Sequence, residues 1–444
     1  MLRPNTLFLL FAAMLAVLPL APPAMAEGDT PTTAPQNKKK KKGRANRASG
    51  LSGNFYRLAD LESEPYSRGV IVFEAGKGNP YASIRIPDII NANGLLVAMA
   101  EGRYSNSDQG QNDLIVSTSK DGGKHWSRPT VALASHGATY NNPCLIYDPA
   151  TKQIVLFFQR YPEGVKERDP NIPTGHQDKR AIRNFVSFSK NGKSWSKPKD
   201  VTEFTKNEGV TITCSGPNPG VCLTRGPHKG RLVVPLNEGP FGNWTLAAAY
   251  SDDHGKTWRI GRKSASGCGV NEVSVAETEQ GELLIVSRAW GGSYRKVAYS
   301  QDGGESWGDI HEHAELPSPN VQNGLTRYSF ADDKALGGRG RVLFSSPTQG
   351  SRRDGIIKMS YDDGKTWPVA RMVGSGPFAY SVLCPVCPGV VGLLYEVNGN
   401  PLTTIKFTPV SISWLTRGED TGMATTPENT DAKTPRKKKK KSQH

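Results

Sequence analysis

The side chains able to bind or transform a ligand fall in a few short segments. Arg85 lies in Tyr81-Ala82-Ser83-Ile84-Arg85-Ile86-Pro87, and Arg103 closes Ala100-Glu101-Gly102-Arg103. A Ser/Gly/Asn-rich stretch follows, with carboxylates at Asp108 and Asp113. Glu272 stands in Gly269-Val270-Asn271-Glu272, and Arg288 follows sixteen residues later. Arg352 and Arg353 are adjacent, and Tyr380 comes 28 residues after Arg352. A guanidinium fork suits a bound carboxylate better than an ammonium group does. A loop carboxyl can move a proton. A phenol, with its ordinary pKa near ~10, becomes a nucleophile only beside a base. The eight His form no H-x-x-H or H-E-x-x-H pattern, and His311-Glu312-His313 reads as a solvated loop. The chain has no G-x-S-x-G element, phosphate-binding loop or cofactor motif. Asn141-Asn142-Pro143-Cys144 and Asn237-Glu238 sit at strand ends and receive no role.

The elements that must carry these residues announce themselves as a repeat. Ser119 to Trp126 (SKDGGKHW) recurs at Ser251 to Trp258 (SDDHGKTW), Ser300 to Trp307 (SQDGGESW) and Ser360 to Trp367 (SYDDGKTW). Ser189 to Trp195 (SKNGKSW) is a shorter copy with Asn191 in place of Asp. Successive starting serines lie 70, 62, 49 and 60 residues apart. A β-rich run precedes each copy, as in Leu114-Ile115-Val116 and Val297-Ala298-Tyr299. In each copy the Asp carboxylate can accept backbone N–H bonds, Gly supplies φ > 0, and Trp packs back onto the next strand. Strands recurring with such a unit predict propeller blades, because each unit needs neighbours to bury both faces. Five units plus the flanks suit an all-β, six-bladed β-propeller. No stretch has long helical periodicity.

The S-x-D-x-G-x-x-W repeat is the Asp box, which catalytic and non-catalytic propellers share. Arg85-Ile86-Pro87 followed by Ala100-Glu101-Gly102-Arg103 resembles the opening of bacterial exo-α-sialidases, with Ile84 where an aromatic is usual. The resemblance covers nearly all of 70–410. It implies a sialidase-like propeller in which Arg85, Arg288 and Arg352 hold the carboxylate of a sialic acid, with Arg353 as the alternative third arginine. It implies Tyr380 as nucleophile, Glu272 as the partner taking its proton, and Asp108 as acid/base, with Asp113 as second choice. Arg103 is placed at the polar rim of the substrate. A phenol suits this reaction because a carboxylate nucleophile would meet the like charge that the anomeric carbon already bears. Two displacements give net retention. No metal or cofactor is implied. The partners implied are sialylated glycoproteins, glycolipids or oligosaccharides. Linkage preference, and hydrolysis versus transfer to another sugar, stay open. The competing reading is a non-catalytic propeller binding acidic glycans.

Composition fits this picture. The 444 residues hold 47 Gly and 32 Pro, which favours turns over a helical bundle, and 36% are hydrophobic. Of the net charge of +15, +9 falls in residues 1–50 and 418–444, densest in Lys38 to Lys42 and Lys437 to Lys441, and the body between is only mildly basic. Neither run is interleaved with aromatics, so nucleic acid is not expected as a partner, and attachment to an anionic surface is the use their charge suggests. Arg3, the apolar run Leu7 to Leu20 and Ala24-Met25-Ala26 read as a secretory signal, too short for a comfortable membrane span. The expected organisation is a signal over 1–26, a Lys-rich linker over 27–50, the propeller over 51–417 and a flexible basic tail over 418–444. No transmembrane segment is expected after signal removal, and the location is secreted or periplasmic. Six Cys in an exported chain permit disulfides. Cys214 and Cys222, which bracket a Gly/Pro-rich loop, are the expected pair. Cys384-Pro385-Val386-Cys387 is expected as a local disulfide or two thiols rather than a metal knuckle.

Overall fold

A computed structural model describes residues 55–348, 350–397 and 402–424. The expected signal, the Lys-rich linker and most of the C-terminal tail lie outside the described residues. The strands form five hydrogen-bonded sheets. The eight-stranded one divides naturally in two, because its halves meet at a single parallel pair, Asn112 with Thr139. Six antiparallel blades result. Blade 1 consists of Ser83–Ala92, Leu95–Arg103, Asn112–Ser119 and Thr130–Leu133. Blades 2 to 5 span 139–200, 213–260, 270–317 and 324–377. Blade 6 is closed by the start of the chain: Val70–Glu74 pairs with Thr404–Ser411, beside Val390–Val397 and Ser381–Cys387. This pairing leaves neither end of the ring open.

The inner strands read as near-continuous apolar runs because blades cover both faces. Leu232–Glu238 and Thr245–Ser251 are buried along their whole length. The Asp boxes behave as the sequence predicts. In the second full copy the Ser251 hydroxyl accepts from Gly255 N at 2.8 Å, Asp253 accepts from Thr257 N at 2.9 Å, and Trp258 Nε1 donates to the Gly255 carbonyl at 3.0 Å. Gly255 needs its φ of 82° to make this turn. Trp258 is buried against Phe157, ring centroids 5.6 Å apart. In the shorter copy the Asn191 amide oxygen accepts from Lys193 N and Ser194 N, both at 2.9 Å, so Asn performs the task of Asp.

Three expectations are corrected. The propeller does not stop at 417: Asp420 pairs with Arg341 at 2.6 Å, and Ala424 N donates to the Ala335 carbonyl. His311-Glu312-His313 opens an exposed edge strand, His311–Pro317, rather than a loop. The Cys214–Cys222 disulfide is absent, and all six cysteines are free thiols. Cys214 faces Asn237 and Cys222 faces Leu232 on one strand. Those partners lie five residues apart, roughly 17 Å of extended chain. A disulfide needs Cα atoms within about 7 Å.

Candidate active site

The residues singled out from the sequence converge on one end of the blades. Arg85, Arg103, Asp108, Glu272, Arg288, Arg352 and Tyr380 all line a cavity of about 210 Å³. They arrive from blades 1, 4, 5 and 6, so only closure of the ring brings them together.

Arg85 sits at a bulge where the first two strands of blade 1 slip register. The next residue, Ile86, has φ 56°, an uncommon and strained state for a β-branched residue. This twist aims the Ile86 N–H at Glu396 Oε1, 2.9 Å away. Glu396 also takes Arg85 at two points, both 3.1 Å, and accepts from Tyr380 N at 3.2 Å. It is fully buried, whereas the Arg85 side chain is 14% exposed. A bulge in blade 4 sets Asn271 and Glu272 against Arg288. Arg288 Nη1 lies 3.0 Å from Glu272 Oε2. The other oxygen, Oε1, accepts from the Tyr380 hydroxyl. The Asn320 side chain accepts from Arg288, and its carbonyl accepts from Arg352 Nη2 at 3.0 Å. Arg85 and Arg352 both face the Tyr380 ring, at 4.9 and 5.5 Å from its centre.

Burial pushes the Tyr380 phenol well above its ordinary range, and the Glu272 charge adds to this; Arg288, Arg85 and Arg352 pull it back. The phenol is therefore held protonated, with the Glu272 side chain against its hydroxyl. Asp108 sits on the loop between the inner strands of blade 1, its side chain 61% exposed. Its Oδ1 lies 2.5 Å from Arg103 Nη1 and 3.7 Å from Arg85 Nη1. Burial raises its pKa, but Arg103, Arg85 and Arg352 outweigh burial and hold the carboxyl below its usual value. Asp113 is occupied elsewhere: it accepts from Tyr81, Tyr104 and Ser135, and is absent from the cavity lining. Arg353 is likewise absent from the lining, while Arg352 is part of it.

Sequence reasoning missed several contributors. Glu396 carried one signal, a lone acid inside the apolar strand Val390–Val397. Glu101, buried, fixes Arg103 at 2.6 Å and accepts from Asn142 N at 2.8 Å. Glu167 and Arg168 reach the cavity from the long connection inside blade 2, and Phe241, Trp244 and Trp290 form an aromatic wall. Burial, then Asp108 and Glu272, push the Glu167 carboxyl up to about 7. The buried Asn237 lines the cavity, its side-chain oxygen without a hydrogen bond. A larger hollow of about 490 Å³ lies elsewhere, lined by Ile89, Ile146, Pro219, Phe330 and Leu383 among others. Its carboxylate, Asp333, accepts from Phe330 N, and its Tyr328 hydroxyl donates to the carbonyls of Cys387 and Gly422.

Comparison with known proteins bears on the family and the fold. The BNR repeat-like domain model matches residues 94–391. The chain is 32% identical over 353 residues to a sialidase of Micromonospora viridifaciens, covering 76% of this chain and 52% of that protein. It is 28% identical to a sialidase of Bacteroides fragilis, covering 76% of this chain and 65% of that one. The chain thus spans between half and two thirds of the length of these relatives. Among solved structures, Hadza microbial sialidase Hz136 superimposes with a TM-score of 0.69 at 27% identity, covering 78% of this chain and 69% of that one. A matched repeat domain over most of the chain, relatives of this kind and a six-bladed ring have one common explanation: the chain belongs to the sialidase family of BNR-repeat propellers.

Proposed function

We propose that the protein is a retaining exo-α-sialidase, releasing terminal α-linked sialic acid from glycoconjugates. The observation that carries this reading is the Tyr380–Glu272–Arg288 chain of contacts inside a pocket rimmed by three arginines. Two Arg85 nitrogens are committed to Glu396, which leaves Nη1 directed toward the Asp108 side of the pocket. That nitrogen, with the uncommitted edge of Arg352, offers donors for the substrate carboxylate. The carboxylate and Asp108 compete for the same cations. Binding the substrate offsets the positive field on Asp108, and its pKa rises toward that of a working acid.

In the first displacement the Tyr380 oxygen bonds to the anomeric carbon as the glycosidic C–O bond breaks. Glu272 takes the phenol proton, and Asp108 gives its proton to the leaving oxygen. In the second, Asp108 removes a proton from water, the water oxygen bonds to the anomeric carbon, and Tyr380 leaves and recovers its proton from Glu272. Two inversions restore the starting configuration. The basic start, apolar run and Ala24-Met25-Ala26 of the sequence support export of the enzyme, in keeping with substrates on glycoproteins and glycolipids.

Turnover of a fluorogenic α-sialoside by the mature chain, beside Tyr380→Phe, tests the reading. Release of fluorophore that collapses in Tyr380→Phe is expected. A folded parent chain without turnover contradicts it, and a glycan-binding array then asks whether the pocket only binds acidic sugars.

A further inference from the structure

One cation of the pocket has no task in the proposed reaction. Arg85 pairs with Glu396, Arg103 with Glu101 and Asp108, and Arg288 with Glu272. Arg352 is assigned above to the carboxylate of the terminal sialic acid. Arg168 is left over: it lines the cavity, is exposed, and forms no ion pair or hydrogen bond among the described residues. The acids beside it in sequence do not take its charge. Asp169 accepts from Arg180 at 3.1 Å and from Asn171 N at 2.8 Å. The Glu167 carboxyl, raised to about 7 by burial, then by Asp108 and Glu272, is largely protonated below neutrality.

Arg168 belongs to the mouth of the cavity. Glu101, Arg103 and Tyr380 are buried at its floor, whereas Trp290 is 38% exposed. Asp108, which gives its proton to the leaving oxygen in the proposed reaction, is also largely exposed, so the departing sugar lies toward solvent. The mouth carries a shelf there. The Arg168 guanidinium lies over the Phe241 ring at 4.7 Å, Phe241 meets Trp290 edge-on with centroids 5.2 Å apart, and the buried Trp244 stands 6.1 Å from Trp290. An exposed aromatic ring suits the C–H face of a pyranose. A guanidinium stacked on a ring keeps its N–H edge free for a carboxylate. The connection that carries Arg168, between Gln153–Tyr161 and Arg183–Ser189, is tied down. Val165 and Ile172 are buried in one cluster with Trp244, and the buried Lys206 Nζ donates to the carbonyls of Gly175, Ile182 and Thr211 at 2.8, 3.2 and 3.1 Å. The shelf is therefore held in place before a ligand arrives.

We propose that this shelf holds the sugar from which the terminal sialic acid is cut, and that Arg168 selects for one that bears a carboxylate of its own, a second sialic acid. The inference rests on the proposed sialidase reading and names the substrate class within it: disialyl and oligosialyl glycans. Trp290 and Phe241 supply the apolar surface that any pyranose can use. Arg168 adds a charge-assisted contact that only an acidic sugar can return. That contact lies away from the bond that breaks and is the same before and during the reaction, so selection appears chiefly in KM.

The test compares two substrates of the full chain that differ in one group: α2,8-disialyllactose, and the same compound with its inner carboxylate converted to a carboxamide. Release of the terminal sialic acid is followed at about pH 6, where Glu167 is largely protonated. The acid is expected to exceed the amide in kcat/KM by about tenfold, the scale of one hydrogen-bonded charge pair. Arg168→Gln should bring this ratio to about one through a rise in KM for the acid. Loss of folded protein scales both rates alike and leaves the ratio untouched. Trp290→Ala should raise KM for both compounds. A parent that treats acid and amide alike, a ratio unchanged in Arg168→Gln, or unchanged KM in Trp290→Ala overturns the proposal while turnover itself upholds the sialidase reading. No turnover of either compound or of a fluorogenic α-sialoside overturns that reading, and the proposal with it.

Discussion

Arg85 and Glu396 form a two-point ion pair across 311 residues of sequence, Nε to Oε1 and Nη2 to Oε2 at 3.1 Å each. The same carboxylate accepts from the backbone of Ile86 and of Tyr380. One buried acid thus sets Arg85, which the proposed function assigns to the substrate carboxylate, the strained turn beside it and the start of the segment bearing Tyr380. Glu396 touches none of the reacting atoms and is a positioning residue.

Glu396→Gln should therefore destabilise the fold by about 3 kcal/mol, because it leaves a guanidinium partly buried and unpaired. Its kinetic mark should be a rise in KM larger than the fall in kcat, since the chief loss is the orientation of a carboxylate-binding group. Urea unfolding and steady-state kinetics on one sialoside check both. An unchanged KM contradicts the positioning role.

As the acid of the first displacement, Asp108 has work to do only when the leaving group is poor. Asp108→Ala should cut turnover of a natural sialyl disaccharide by about 100-fold or more, within the usual range for acid–base assistance. It should spare an aryl sialoside more in the first step, because the aryl oxygen leaves without a proton. Equal losses in kcat/KM, which reports the first step, on both substrates would show that Asp108 is not the acid.

Glu167 is raised to about 7 by burial and by its acidic neighbours. For a carboxyl with a raised folded pKa, the folded state holds the proton more tightly than the unfolded one. Its contribution is present below the ordinary carboxylate range and is lost as pH rises toward 7. Glu167→Gln should flatten the fall in thermal midpoint between about pH 4.5 and 7. Parallel curves for parent and variant contradict this.

The Asp boxes make a prediction away from the pocket. Asp253 accepts from Thr257 N and from its hydroxyl, at 2.9 and 2.7 Å. Asp253→Ala leaves both donors without their partner and should cost about 1–3 kcal/mol. Asp253→Asn should recover most of that, as Asn191 already fills the role in blade 2. Turnover at a temperature well below unfolding should be unchanged in both.

What was legible in the sequence follows from physical range. The boxes are local devices, with turn, aromatic and hydrogen bonds inside eight residues, so their repeat exposes the blades directly. The strands before them are apolar on both faces and stand out for the same reason. Arg85, Glu272 and Tyr380 are recognisable from their own short motifs, although nothing local says that they meet. Glu396 escaped because its task is long-range: an acid in an apolar strand signals burial without naming Arg85 as its partner. Glu167 and Asn320 sit in connections whose path is set by tertiary packing. The expected Cys214–Cys222 disulfide failed because closeness in sequence says little once both residues lie along one partner strand, five positions apart.

Covalent trapping tests the central claim most directly. The protein is incubated with a 3-fluorinated sialosyl fluoride, whose fluorines slow breakdown of a glycosyl-enzyme more than its formation, and the peptides are weighed. A retaining mechanism through the phenol predicts time-dependent inactivation and one added fluorosialyl group on the peptide carrying Tyr380, lost in Tyr380→Phe. An adduct on the peptide of Glu272 or Asp108, or turnover of an α-sialoside that releases the inverted anomer first, contradicts it.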